Sequence, residues 1–399
     1  MVGLGMSPSG GAVEVTVVLP CLNERDAVGL CVAEAIQAMK GASIDGEVLV
    51  VDNGSTDGSA DVATAAGARV IHETRRGYGR ALRTGFEQAR GEVVVMADAD
   101  GTYDLAKIPE ITRPVLAGEV DLVLATRLDG ATNETMPFLH RYVGTPVITF
   151  LTSRAAGRKL TRDSQTGYRA FRRDQMLSLG IVGNGMELAS EMLIKSARAE
   201  LRISNIEGGY SPRIGESKLD TWSDGWRHLK LILLLAPDIV LVGPGLTFAA
   251  MGLVALILGF AQPSGVEVGS ARWQPVFFSG IALVLGFQMF FAGAVVASSS
   301  PVARSSRRGT FQFVRDPLWP RRAIGLGLIV ALVGLFIDVG LFISWLRDLD
   351  LIPTEGVGFG FASLAQTLLI LGGSLAVFGV VARFARSSDG LDISSRSDG

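Results

Sequence analysis

The stretch VLVVDNGSTD at residues 48–57 and the stretch VVMADAD at residues 94–100 decide the fold, because each ends an apolar strand with acidic residues. In an α/β sheet the carboxyl ends of the strands border the crevice where ligands bind. Asp98 and Asp100 are two residues apart, so on an extended segment both carboxylates can point the same way. Such oxygen ligands suit a hard cation. The two stretches therefore predict a crevice for a nucleotide and a divalent cation.

Strands alternate with helices around these two stretches. The pattern of β-branched and apolar residues predicts strands at 15–19, 47–51, 69–71 and 92–96, and helices at 24–39, 57–66 and 78–89. This alternation predicts an α/β domain with a mostly parallel, doubly wound sheet and right-handed crossovers.

The remainder of the chain is more apolar. At 48% hydrophobic residues over 399 positions, the chain is too apolar for an ordinary soluble enzyme. Four apolar stretches each have about the 20 residues that a membrane-crossing helix needs: 239–260, 275–297, 323–345 and 361–382. The sequence thus predicts a disordered N-terminus (1–12), an α/β domain (13–220), an amphipathic juxtamembrane helix rich in Trp and basic residues (221–238), a membrane domain (239–386) and a disordered tail (387–399).

Charge predicts the orientation of the four spans. The loop after the second span carries six arginines against one acid, and the tail begins with Arg383 and Arg386. By the positive-inside rule both segments are cytoplasmic, and with four spans the α/β domain lies on the same side. Residues 1–12 show no secretory signal. The two cysteines fit a reducing compartment, and a net charge of -2 gives no reason to expect nucleic acid.

Several motifs in order carry a family resemblance. PCLNE (20–24), VDNGSTD (51–57), GYGRALRTG (77–85) and DADGTYD (98–104) together resemble a family 2 glycosyltransferase of the GT-A fold. ATR (125–127), DSQTGYRAF (163–171) and RIGESKL (213–219) resemble the polyprenyl-phosphate (dolichyl-phosphate) sugar synthase branch of that family. The resemblance covers roughly residues 13–235 and implies a Rossmann-like GT-A domain followed by the four-helix membrane region.

The resemblance also implies which residues bind the nucleotide-sugar. Asp52 ends a strand and can accept hydrogen bonds from a base or ribose, although a turn or helix cap is the alternative. The glycines of 77–85 permit close approach of a phosphate to helix amides. Glu187 and Glu191 either touch sugar hydroxyls or form a structural helix face. The implied nucleotide-sugar set is Pro20, Asn23, Glu24, Asp52, Asn53, Gly77, Arg80, Asp98, Ala99, Asp163 and Gln165.

A metal site is implied by the same motif. Asp98 and Asp100 would hold Mg²⁺ or Mn²⁺ against the diphosphate and neutralise the leaving nucleoside diphosphate. Relatives often have a third ligand two residues further on, where this chain has Thr102. Its hydroxyl or a water would complete the set.

The acceptor is inferred from chemistry. A hydroxyl nucleophile normally needs a carboxylate base, whereas a phosphate monoester is already anionic and needs cations to hold it. By resemblance the residues that hold the acceptor phosphate are Arg127, Arg141, Thr145, Arg213 and Lys218, and the residues that act in catalysis are Asp100, Arg127, Arg141 and Arg213. For any single arginine a surface salt bridge is the alternative.

These observations predict a membrane-bound inverting enzyme that moves a hexose from a UDP- or GDP-sugar to polyprenyl phosphate at the cytoplasmic face. Two alternatives stay open. One is a hydroxyl-bearing lipid or polysaccharide acceptor, although the Gln-x-x-Arg-Trp element of processive synthases is missing at Arg272 and Trp273. The other is a non-catalytic membrane scaffold with a nucleotide-binding domain. The spans would anchor the enzyme and guide the lipid, and a homo-oligomer is a further possibility.

Overall fold

The computed structural model describes residues 13–128, 138, 140–215, 221–269, 271–299, 316–348 and 357–394. The chain forms two compact units, Met1–Leu231 and Ile232–Gly399. The strands of the first unit are β1 (Val15–Cys21), β2 (Gly46–Asp52), β3 (Arg69–His72), β4 (Val93–Met96), β5 (Leu122–Thr126), β6 (Arg169–Arg172) and β7 (Ile203–Glu207). Its helices are α1 (Arg25–Gly41), α2 (Ser59–Ala65), α3 (Tyr78–Gln88), α4 (Ile108–Leu116), α5 (Thr145–Ala156), α6 (Arg173–Ser178), α7 (Leu188–Arg198) and most of α8 (Thr221–Leu235).

The seven strands form one mostly parallel sheet in the order β3-β2-β1-β4-β6-β5-β7. Only β6 runs antiparallel, between β4 and β5. The predicted strands and helices of the first hundred residues are all present, with bounds within two residues of those expected. Because β2, β1 and β4 are neighbours and parallel, their carboxyl ends open onto one edge of the sheet.

Two apolar layers cover the sheet. β1 alternates between them: Val17 and Leu19 pack with α1, α2 and α4, while Val18 packs with α3, α6 and α7. Strands buried on both faces read as continuous apolar runs, which explains the sequence VLVV in β2. The core holds the sheet rigid beneath the loops at its carboxyl edge.

The second unit consists of four long helices and a short hairpin. Its elements are α9 (Gly243–Ala261), β8 (Val266–Val268), β9 (Ala271–Trp273), α10 (Pro275–Ser299), α11 (Trp319–Asp348) and α12 (Val357–Ser394). Segments long and apolar enough to cross a membrane are Asp238–Ala261, Pro275–Val296, Trp319–Arg347 and Gly358–Phe384. They coincide with the four predicted spans, so the chain is a membrane protein.

Small residues bring the spans together. A Cβ added to Gly327 of α11 would lie 2.6 Å from the carbonyl oxygen of Gly372 in α12, and one added to Gly252 of α9 would lie 2.7 Å from the amide of Leu283 in α10. In a bilayer the hydrophobic effect does not favour helix association, so close backbone packing of this kind stabilises the helix pairs through van der Waals contacts. At its end α12 continues as helix to Ser394. Helix propagation adds a hydrogen bond with each residue fixed, so a polar segment can extend an established helix.

Candidate active site at the carboxyl edge of the sheet

Asp52 lies at the last position of β2, and its carboxylate is 4% exposed. It accepts hydrogen bonds from the amides of Gly54 (3.3 Å) and Ser55 (3.1 Å) and from Nδ1 of His72 (3.1 Å). Burial alone would raise the pKa of Asp52, but the hydrogen bonds from Ser55, His72 and Gly54 outweigh it and hold that pKa below its usual value. Asp52 is therefore an ionised acceptor at neutral pH.

Pro20 lies inside β1, where it pairs with Val51 of β2. The loop that follows β1 is tied to the loop after β2. Asn23 has a left-handed backbone (φ 53°), and its side-chain oxygen accepts from the amide of Thr56 at 2.8 Å. The amide of Glu24 donates to Ser59 Oγ at 2.9 Å, and the amide of Arg25 donates to Asp57 at 3.1 Å. These bonds hold the two loops as one wall of the crevice, so Asn23 acts in its construction.

The acidic pair follows β4. Asp98 accepts from the hydroxyl of Tyr78 at 2.8 Å. Asp100 is 6% exposed, accepts from the hydroxyl of Thr102 at 2.7 Å and forms an ion pair with Arg213 at 3.0 Å. Burial first, and then the charge of Asp100, raise the pKa of Asp98 to about 7. Two carboxylates forced together in this way form a site that favours added positive charge.

The pair Asp98 and Asp100 can supply two of the ligands of a divalent cation. Among the residues that the structure describes, no group of three or more His, Cys, Asp or Glu side chains could hold a metal ion. Asp98 and Asp100 would therefore supply two ligands, and the other positions would fall to diphosphate oxygens and water. Thr102, the expected third ligand, donates its hydroxyl proton to Asp100, so its observed role is to orient that carboxylate.

Arg213 lies against this pair on the segment that follows β7. The amide of Ile214 donates to the carbonyl of Asp100 at 3.0 Å, and the amide of Ser211 donates to the carbonyl of Thr102 at 2.9 Å. The guanidinium of Arg213 also contacts the carboxylate of Glu24. Two residues predicted for different ligands, Glu24 and Arg213, are thus partners in this structure.

Arg127 and Asp163 form a buried bidentate ion pair. Nε and Nη2 of Arg127 each donate to Asp163 at 2.8 Å, and the two side chains are 13% and 0% exposed. Burial would raise the pKa of Asp163, but the charge and hydrogen bonds of Arg127 hold it below its usual value. Asp163 is therefore the counter-ion of Arg127, and its contact with a nucleotide-sugar stays a prediction.

Tyrosines that the motifs did not single out surround this pair. The guanidinium of Arg127 lies 5.6 Å from the ring centre of Tyr210, which in turn lies 5.8 Å from the ring of Tyr103. The hydroxyl of Tyr103 accepts from the amide of Gly167 at 2.7 Å. With Tyr78 on Asp98, these rings make the crevice wall partly aromatic. Tyr78 begins α3, Tyr103 follows β4 and Tyr210 follows β7, so their spacing in the sequence did not predict this cluster.

Gln165 belongs to a buried hydrogen-bond network. Its side-chain nitrogen donates to Ser164 (2.9 Å) and Ser190 (3.0 Å), and Ser190 lies 3.2 Å from Nδ1 of His228 in α8. Its amide donates to Asp163 at 3.0 Å. Gln165 therefore supports Asp163 and Ser190, and its contact with the nucleotide-sugar stays a prediction. Burial lowers the pKa of His228 to about 4, so its imidazole is neutral at pH 7.

Three amides of the glycine-rich segment already have partners in the protein. The amide of Gly77 donates to Asn53 Oδ1 at 2.7 Å, and the amides of Gly79 and Arg80 donate to the carbonyl of Asn184 at 3.0 and 3.4 Å. A Cβ at Gly79 would lie 2.6 Å from the carbonyl oxygen of Gly183. The glycines therefore serve backbone packing, and a phosphate site at this helix start stays a prediction.

Four further residues of the sequence predictions have other positions or partners. The side-chain nitrogen of Asn53 donates to the carbonyls of Glu73 (2.8 Å) and Arg75 (2.9 Å), so it holds that segment, and its contact with a ligand stays a prediction. Glu191 accepts from the amides of Val182 (3.0 Å) and Gly183 (2.6 Å), and Glu187 accepts from Asn184 and Gly185, so both have the structural role left open above. Lys218 lies outside the described residues.

Arg141 and Thr145 lie at the start of α5. Arg141 belongs to a π-helical turn (His140–Gly144), and its guanidinium lies 5.4 Å from the ring centre of Tyr142. Thr145 is 6% exposed. Within the residues that the structure describes, neither side chain has a hydrogen bond or ion pair to the acidic pair. Their roles at an acceptor phosphate stay predictions.

Comparisons with known proteins agree with this geometry. Residues 16–177 match the glycosyl transferase family 2 model. The chain is 33% identical to the low-salt glycan biosynthesis hexosyltransferase Agl6 of Haloferax volcanii over 92% of this chain and 87% of that protein. It is 32% identical to the dolichyl-phosphate hexose transferase of the same organism over 53% of this chain and 89% of that protein.

Among solved structures, glucosyl-3-phosphoglycerate synthase from Mycobacterium tuberculosis with Mn²⁺, uridine diphosphate and phosphoglyceric acid matches with a TM-score of 0.45 at 23% identity, covering 56% of this chain and 76% of that chain. The mostly parallel α/β sheet and the four apolar helices confirm the predicted GT-A fold class with a membrane region. Motif order, acidic strand ends and the long match to Agl6 lead to one assignment. The chain belongs to glycosyltransferase family 2.

Proposed function

We propose that the chain transfers a hexose from a nucleotide-sugar to the phosphate of a polyprenyl phosphate. The observation that carries this proposal is the cationic setting of the acidic pair. Arg213 is ion-paired with Asp100, and Arg127 and Arg213 both act electrostatically to lower the pKa of Asp98 against burial. Two of the three arginines expected to hold an acceptor phosphate therefore lie within electrostatic reach of the pair.

Helix α5 buries polar side chains and exposes apolar ones, which supports a lipid acceptor. α5 buries polar side chains, with Thr145, Thr149 and Thr152 at 6%, 7% and 1% exposure. Its other face exposes Val147 (51%) and Phe150 (62%), and the preceding turn exposes Tyr142 and Val143. Exposure of such an apolar face to water is unfavourable, whereas burial of that face in the interfacial region of a bilayer is favourable. This helix also begins four residues after Arg141, the third predicted phosphate ligand.

The relatives support the same choice. The dolichyl-phosphate hexose transferase and the hexosyltransferase Agl6 point to a hexose and a lipid-linked phosphate. A divalent cation, Mg²⁺ or Mn²⁺, would neutralise the departing nucleoside diphosphate when it is bound at Asp98 and Asp100. The family resemblance and the four apolar helices together support a membrane enzyme with a catalytic domain at the cytoplasmic surface.

The chain's own residues have separable tasks in the proposed reaction. An oxygen of the lipid phosphate attacks the anomeric carbon while the bond from that carbon to the diphosphate oxygen breaks, with inversion. Asp52 accepts hydrogen bonds from the nucleoside, and Thr102 orients Asp100. Arg127, held rigid by Asp163, and Arg213 bring the anionic acceptor to the sugar. No carboxylate is required to deprotonate the acceptor, because a phosphate monoester is already charged.

The test is transfer in purified, reconstituted protein. Radiolabelled UDP- and GDP-hexoses are incubated with polyprenyl phosphate and Mn²⁺, and the lipid product is hydrolysed in mild acid. We expect one labelled, acid-labile glycolipid, at least about 100-fold less of it with Asp100→Asn, and unchanged yield with the exposed control Asp61→Asn. An acid-stable product would show a hydroxyl acceptor. Nucleotide binding without any transfer would show a scaffold.

A further inference from the structure

His72 has an exposed imidazole that is hydrogen-bonded to the buried carboxylate of Asp52 at the carboxyl edge of the sheet. It ends β3, directly beside Asp52 in the parallel register. Its side chain is 67% exposed, while that of Asp52 is 6% exposed. None of the sequence motifs includes His72, and no step of the proposed transfer uses it.

The protonation pattern of this contact follows from its geometry. Asp52 is ionised at neutral pH and can only accept, so Nδ1 of His72 carries the proton of the 3.1 Å hydrogen bond. The proton position is assigned from the hydrogen bonding. The exposed ring edge is then available to a ligand that lies over Asp52.

The number of free acceptor sites on Asp52 limits which nucleobase can bind there. An ionised carboxylate has about four lone-pair sites. The amides of Gly54 and Ser55 and the imidazole of His72 take three of them. The hydroxyl of Ser55 lies close enough to act on the same carboxylate, but it can rotate away. One site is therefore open to a hydrogen-bond donor from a nucleobase that displaces this hydroxyl. Uracil presents a single ring N–H, whereas guanine presents an adjacent pair of N–H groups that needs two acceptors.

We infer that His72 sets the base specificity of the nucleotide-sugar site: it occupies one acceptor position of Asp52 and borders the base, so that a uracil edge is preferred over a guanine edge. This inference rests on the proposed function and names the class of nucleotide within it. Arg76 forms the opposite border, because its guanidinium donates to the carbonyl of Gly54 at 3.3 Å.

The experiment compares binding of UDP, GDP and inorganic pyrophosphate to the full chain in detergent with Mn²⁺, by calorimetry. The parent should bind UDP more tightly than GDP. His72→Ala should weaken UDP about tenfold, which corresponds to about 1.4 kcal/mol, and should narrow the UDP to GDP ratio by a similar factor. Pyrophosphate, which has no base, should keep its affinity within about twofold.

Two matched variants complete the test. His72→Asn keeps an N–H group that can reach Asp52, so it should restore most of the base selectivity. Thr74→Ala, two residues further on the same exposed segment, should change nothing. In transfer assays His72→Ala should raise KM for the nucleotide-sugar and leave kcat within about twofold.

Several results would overturn the inference: a parent that prefers GDP, a His72→Ala variant within twofold of the parent for UDP, or an equal loss of pyrophosphate binding. The last result would mean that the crevice itself had collapsed. Failure of the proposed function is distinguishable, because it would appear as absent transfer to polyprenyl phosphate while the dependence of nucleotide binding on His72 remained.

Discussion

Replacing Asp163 with asparagine should destabilise the catalytic domain more than any surface change. The substitution keeps the shape of the side chain but leaves the charge of Arg127, 13% exposed, without an anion. Removing one partner of a buried ion pair costs about 3–5 kcal/mol. For a domain of this size, 1 kcal/mol corresponds to about 2–4 °C in the melting temperature, so we expect a shift of about 6–20 °C.

The assay is thermal unfolding of the full chain in detergent, with limited proteolysis to follow the catalytic domain. Glu92→Gln is the matched control, because it neutralises a 64% exposed acid that is paired with Arg172. Exposed pairs contribute about 0–1 kcal/mol, so the control should move the melting temperature by less than about 4 °C. Equal shifts for the two variants would refute the reasoning.

A double substitution separates stability from activity. Arg127→Met with Asp163→Leu removes both charges, and well-packed apolar replacements of buried pairs are often neutral or stabilising. This variant should recover most of the melting temperature lost by Asp163→Asn, yet transfer should stay abolished because the guanidinium is gone. Recovered transfer would remove Arg127 from the acceptor site.

The remaining predictions concern packing and pH. Gly79→Ala should lower the unfolding free energy by about 1–3 kcal/mol, because its Cβ would meet the carbonyl of Gly183 at 2.6 Å, whereas Gly41→Ala, with no atom within 4 Å, should be neutral in the same thermal scan. The pKa of Asp98 is raised to about 7, so without metal the folded chain binds the extra proton between about pH 4 and 7, and stability should fall as pH rises through that window; Asp98→Asn should remove that slope from melting curves in EDTA. The pKa of His228 is lowered to about 4, so its contribution should be present above about pH 6.5 and lost as pH falls toward 4, and His228→Asn should flatten that loss.

The sequence could predict those parts of the structure that depend on local patterns. A continuous apolar run that ends in acidic residues predicted β2, β4 and the crevice, because a buried strand is apolar along its length and polar residues begin where it ends. The pair Asp98 and Asp100 was predicted from the same pattern. The four spans followed from length and hydropathy alone.

Contacts between side chains that are far apart in the sequence could not be predicted in that way. His72 on Asp52 and Tyr78 on Asp98 are each 20 residues apart, and Arg213 is 189 residues from Glu24. Only the order of strands in the sheet brings such residues together. The resemblance named Arg127 and Asp163 separately, for the acceptor and the nucleotide-sugar, and the structure joins them as one ion pair.

Asn53 shows how a departure from the family pattern can be read physically. The family resemblance placed Asn53 among the residues that contact the nucleotide-sugar, at a position where relatives often have an aspartate. The structure shows that the side-chain nitrogen donates to two carbonyl groups, of Glu73 and Arg75, while the oxygen accepts from Gly77. An aspartate has no proton to donate and would place its charge against two carbonyl oxygens. The segment from Glu73 to Gly77 carries the start of α3 and thereby Tyr78 on Asp98. In this chain the asparagine therefore supports the acidic pair from the neighbouring loop, and an aspartate could do so only with a different path of the segment.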